Sequence, residues 1–99
     1  MKLTHSVYTV AKQLMRRPKD KHWGTGLYEA VGMKPGTCYP ILMRMLAAGW
    51  LTDEWETPAH ARRDHPGSPP RHYYTVTDAG MLALQRLITQ WETTREYSS

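Results

Sequence analysis

Ninety-nine residues, 40% of them hydrophobic and 22% charged, suffice for one hydrophobic core and leave no room for an independent second one. The single cysteine, Cys38, excludes an internal disulfide, and no long apolar run follows the charged start, so neither a secretory leader nor a membrane span is expected and the chain is read as cytoplasmic. The net charge of +4 is unevenly placed: about +5 over residues 1–23 and +2 over 58–77, against −2 over 24–57 and −1 over 78–99, a pattern that suits a polyanion better than a uniformly solvated surface.

In chain order, Thr4 to Arg17 has the spacing of an amphipathic helix, with Val7, Val10, Ala11 and Leu14 on one face and Pro18 as its stop. "PKDKHWG" reads as a loop. Thr25 to Val31 is a short second helix that ends at Gly32. A third helix begins near Pro35 to Thr37, because Pro40 is tolerated only in or just after a first turn, and Gly49 ends it. Its inner stripe is Cys38, Ile41, Leu42, Met45 and Leu46.

Trp50 and Leu51 open a strand through "LTDEWET", and "HYYTVT" is the return strand. Between them, "PAHARRDHPGSPPR" holds four prolines and one glycine in fourteen positions, and is expected to be an irregular hairpin loop. Thr77 then caps a last helix that runs to about Glu96, with Met81, Leu84, Ile88 and Trp91 spaced by three and four. The expected fold is mainly α with a small antiparallel β-hairpin. It is a winged helix-turn-helix: three helices, a two-stranded wing and a C-terminal helix. Residues 1–77 would form the winged-helix domain and 78–99 a C-terminal dimerisation helix.

The outer face of the third helix carries Thr37, Pro40, Met43, Arg44 and Ala47, where a helix facing only water would normally carry Glu and Lys. A face this small can approach the major groove, where Thr and Ala meet thymine methyl groups and Arg44 meets guanine or phosphate. Lys21, His22 and Lys34 lie at the ends of the two short helices. Arg62, Arg63, Arg71 and His72 place further charge in the wing, suited to backbone or minor groove. The expected partner is double-stranded DNA.

"GTCYPILMRMLAAGWLTDEWE", a glycine- and proline-containing loop, and "RHYYTVTDAG" together resemble the PadR-like transcriptional regulators of bacteria and their phages, over about Trp23 to Gly80. That family's pattern is a Gly-Thr-x-Tyr-Pro-x-Leu helix, a Gly-Trp-Leu exit, an arginine-bearing wing and a Tyr-Tyr-x-Leu-Thr-x-x-Gly return. The resemblance implies a homodimeric winged-helix repressor of the short form, with Gly36, Thr37 and Tyr39 at the DNA and Arg71 and His72 carried over in the wing. It also implies that Met81, Leu84, Ile88 and Trp91 belong to a dimer interface. Trp91 is a possible contact for a small aromatic effector, although packing against the first helix is its simpler assignment.

Five histidines invite a metal, with His60, Asp64 and His65 close together. Yet no Cys or His spacing matches a zinc pattern and a four-proline loop is a poor scaffold, so neither metal nor cofactor is expected. Cys38 reads as a small buried hydrophobe. No phosphate cradle, nucleophile elbow or acid–base constellation is present, so catalysis is not expected. The readings that compete with a sequence-specific regulator are a winged-helix protein-interaction module and a nonspecific architectural DNA binder.

Overall fold

The computed structural model describes the backbone of residues 1–98 and the side chains of residues 1–94. Helix α1 (His5–Arg16) begins where the Thr4 hydroxyl accepts the Val7 N–H, and it buries the expected stripe of Val7, Val10, Ala11 and Leu14. Helix α2 (Gly24–Val31) ends at Gly32, whose φ of 69° lets the Met33 N–H turn back onto the Tyr28 carbonyl. Helix α3 (Pro35–Ala47) starts with a proline at its first position, holds Pro40 in its second turn, and buries Cys38, Ile41, Leu42 and Met45. It stops at Gly49, where a φ of 78° allows the Trp50 N–H to reach the Met45 carbonyl.

Two expectations about the wing need correction. "PKDKHWG" is not all loop: His22–Trp23 forms a short strand, β1, and the sheet has three strands rather than two. The strands β2 (Leu51–Trp55) and β3 (His72–Val76) are antiparallel, with Leu51 opposite Val76 and Trp55 opposite His72. β1 pairs on the other side of β3, with His22 opposite Tyr74 and Trp23 opposite Tyr73, which makes the return strand the central one.

The second correction concerns the proline-rich connection, which contains helix α4 (Pro58–Asp64). Pro58 occupies the first helical position, where its missing N–H costs nothing, and the Thr57 hydroxyl caps the helix by accepting the His60 N–H. Pro66, Pro69 and Pro70 all fall after its end, so the prolines bound a helix rather than forbid one.

Helix α5 (Asp78–Ser98) is capped as expected, the Thr77 hydroxyl accepting the Gly80 N–H; residue 99 lies outside the described residues. Leu84, Leu87 and Ile88 join the stripes of α1 and α3 with Leu51, Tyr74 and Val76 in a single core. Across α1, Glu92 accepts from the Tyr8 hydroxyl at 2.7 Å and from Lys12 at 2.8 Å. No helix among the described residues is long and apolar enough to cross a membrane.

Candidate nucleic-acid interface

The core stripe of α3 faces inward, and this fixes what the helix presents outward. Thr37, Pro40, Arg44 and Ala47 are exposed, as are Lys34 and Gly36 at the leading end; Met43 is half-buried against the core. Gly36 is informative because its own fold does not require it. Its φ is not positive, and a Cβ built there would meet nothing within 4 Å. As the second residue of α3, without a Cβ, it keeps the helix tip low without relieving any internal crowding.

The expected site residues fall into separate groups. Tyr39, 45% exposed, shares a cleft of about 480 Å³ with Arg71 and His72 between the α2–α3 pair and the wing. The Arg71 guanidinium lies over the Trp23 ring at 3.9 Å from its centroid, a cation–π contact that ties the end of the wing loop to β1. His72 is largely committed inside the wing: its Nε2 donates to Asp53 at 2.7 Å, and its Nδ1 shares a hydrogen bond with the Tyr74 hydroxyl at 3.1 Å.

Lys21 is paired with Glu54, which raises its pKa, and His22 donates through Nε2 to the Arg17 carbonyl at 2.9 Å. Both lie along a second cleft that also holds Arg16 and Arg17. Arg62 and Arg63 sit in the last turn of α4, exposed, and do not line the cleft that holds Arg71. The electropositive surface is thus divided among the α1–β1 corner, the tip of α3 and α4.

Two aromatic residues of the cleft escaped the sequence reading. Trp55, 66% exposed, stacks on His72 at 4.3 Å with the planes 10° apart, and Trp23 forms the floor beneath Arg71. The signal for Trp55 was its cross-strand position opposite His72, visible only once the register is known. Tyr74 is buried beneath this cleft, and its hydroxyl pKa is pushed up by that burial.

The stripe expected to meet a second subunit is turned inward. Leu84 and Ile88 are buried in the chain's own core, Met81 packs against it, and Trp91 stacks on Tyr8 of α1 at 5.6 Å between centroids. The open side of α5 is instead Leu82, Gln85, Arg86, Thr89 and Gln90, with Leu82 66% exposed. Cys38 is fully buried, and burial pushes its thiol pKa up to about 11, so it stays protonated and is a poor nucleophile at neutral pH.

Two short helices joined by a glycine turn, the second open to its surroundings and followed by strands that carry a basic connection, define a winged helix-turn-helix protein. The chain belongs to the transcriptional regulator PadR-like family, whose pattern matches residues 25–86, and it is by that membership a DNA-binding transcription regulator. A PadR family transcription regulator from Clostridium difficile R20291 has the same fold, with a TM-score of 0.72 at 18% identity over 95% of this chain and 94% of that one. A PadR-like transcription factor from Bacteroides fragilis gives 0.64 at 24% identity, covering 93% of this chain and 84% of that one. The PcaV transcriptional regulator from Streptomyces coelicolor gives 0.71 at 21%, covering 97% of this chain but 62% of that one, and its structure is also known in complex with its natural ligand. Among curated proteins, none is significantly similar in sequence.

Proposed function

We propose that this chain is a repressor acting as a homodimer on a pseudo-palindromic site, with α3 entering the major groove of each half-site. The observation that carries this reading is the exposed, nearly uncharged outer face of α3 led by Gly36, a glycine that no contact among the described residues requires. Lys34, Gly36, Thr37, Tyr39 and Arg44 serve the groove and its rim. Lys21, His22, Arg62, Arg63 and Arg71 serve the backbone, while His72 shapes the wing through Asp53 and Trp55. Repression follows from occlusion of a promoter.

Residues 1–77 act as the reading unit and α5 carries the contact between subunits, through its open side at Leu82 rather than through Leu84 and Ile88. A small planar effector that reached the Trp91–Tyr8 stack would alter the α1–α5 packing and with it the spacing of the two reading helices. The ligand complex of the similarly folded PcaV supports a search for such a compound.

Selection of bound sequences from random duplexes, followed by titration of the winning site at rising salt, tests the reading. Neutralising about six phosphates per protein gives roughly a thousandfold loss of affinity between 50 and 200 mM salt, and a repressor also discriminates against unrelated DNA by roughly a thousandfold. No enriched sequence, or affinity indifferent to salt, would favour the protein-interaction module instead.

A further inference from the structure

Helix α4 gathers three potential metal donors that the sequence had scattered through a loop. Glu56 precedes the cap, and His60 and Asp64 follow at intervals of four, so all three project from one side. His60 Nε2 is 2.8 Å from Asp64 Oδ2 and 3.7 Å from Glu56 Oε2, and the three donor atoms lie within 4.8 Å of one another. Ligands about 2.0–2.2 Å from a tetrahedral ion stand roughly 3.3 Å apart, so small rotations of two exposed side chains would close the set.

The carboxylate of Glu56 is already held for this task. Its side chain is only 6% exposed, and its Oε1 accepts both the His65 Nε2–H and the Arg71 N–H, the latter at 3.2 Å. That leaves Oε2 facing His60. The two bonds on Oε1 fix the orientation of the carboxylate, so Oε2 is presented to the site. A histidine bonded to the second oxygen of a carboxylate ligand is a common outer-shell support in metal sites. An open cleft lined by Glu56, His60, Trp55 and Lys21 gives access from solvent.

We propose that Glu56, His60 and Asp64 form a binding site for a divalent transition-metal ion of the zinc or nickel kind, with water completing its coordination. One imidazole and two carboxylates make a mixed nitrogen and oxygen set that such ions accept. When the metal takes Nε2, the ring's single proton, which had bridged Nε2 to Asp64, relocates through solvent to Nδ1, and Arg63, whose Nη2 lies 3.3 Å from Nδ1 and can only donate, is released to solvent.

Calorimetric titration of the untagged full chain with Zn²⁺ and with Ni²⁺ at neutral pH tests the site. The expected result is one ion per chain for at least one of the two metals, with a Kd below about 100 µM. His60→Ala and Asp64→Asn should each weaken binding by at least about tenfold, while His5→Ala on α1 changes it less than about twofold. His60 and Asp64 side chains are each about half exposed, so these variants keep their fold, which far-ultraviolet circular dichroism verifies. A Kd above about 100 µM for both metals, or a loss below tenfold in either variant, overturns the proposal.

Discussion

Gly80, in the first turn of α5, lies directly against the backbone of Trp50: a Cβ built on it would stand 2.0 Å from the Trp50 carbonyl oxygen and 2.8 Å from its carbonyl carbon. That same carbonyl accepts the Thr77 N–H at 3.0 Å, while the Thr77 hydroxyl donates to the Gly49 carbonyl at 2.7 Å. The end of α3 and the start of α5 are thereby locked together, and only a residue without a side chain fits.

Gly80→Ala should therefore be among the most damaging single substitutions in the chain. The collision is with backbone, which cannot rotate away, and a loss of about 3 kcal/mol or more is expected. Chemical denaturation of the variant against the parent measures it; a loss below about 1 kcal/mol would show that α5 shifts to make room.

Leu84 and Leu82 mark the buried and the open side of α5. Leu84 is fully buried, and Leu84→Ala should cost about 2–5 kcal/mol of stability. Leu82 is 66% exposed, and Leu82→Ala should leave the stability of the single chain within about 0.5 kcal/mol while weakening self-association in sedimentation equilibrium. Unchanged association would remove Leu82 from the subunit contact.

Glu56 gives the wing a dependence on acid. Burial pushes its pKa up, but the Arg71 N–H, His65 and His60 outweigh that, and the folded pKa lies below the unfolded one. The stabilisation is then complete above the unfolded carboxylate pKa of about 4.3 and is lost as pH falls through the lower folded value. Stability of the parent should fall across that acidic window, and Glu56→Gln should flatten the curve there in acid titrations followed by circular dichroism.

Cys38 should resist alkylation. With the thiol buried and its pKa near 11, iodoacetamide at neutral pH should label the folded chain far more slowly than the denatured chain. Rapid labelling of the native protein, read by mass spectrometry, would contradict the packing of α3 described above.

Arg44→Ala should reduce affinity for a selected duplex by on the order of 5- to 150-fold and relax preference at one base position, if Arg44 reads a base edge. Arg62→Ala should weaken all duplexes alike and lower the salt slope by about one. Fluorescence anisotropy on matched and mismatched duplexes distinguishes the two.

Much of this architecture was legible in the residues. The α1 stripe, the position of Pro40, the terminal Gly32 and the Thr77 cap each follow from local chemistry and appear where that chemistry places them. What was hidden depends on partners distant in sequence or on position within a motif. A two-residue strand shows no alternation, and His22–Trp23 is a strand only because β3 lies beside it. Helix α4 was hidden by counting prolines without asking where each falls, since Pro58 at a first position starts a helix that the other three would end. The face of α5 that meets the core was correctly spaced, but periodicity alone could not say whether its own domain or another would cover it.

The central place of β3 carries an architectural consequence. A one-residue slip would turn Tyr74 and Val76 out of the core, and it would have to break the ladders to β1 and β2 at the same time. The wing is therefore cantilevered from a plate whose orientation relative to α2 is fixed. Changes of length are best absorbed beyond that plate, in the span that holds α4, which makes this span the place where relatives can diversify without disturbing the geometry of the helix pair.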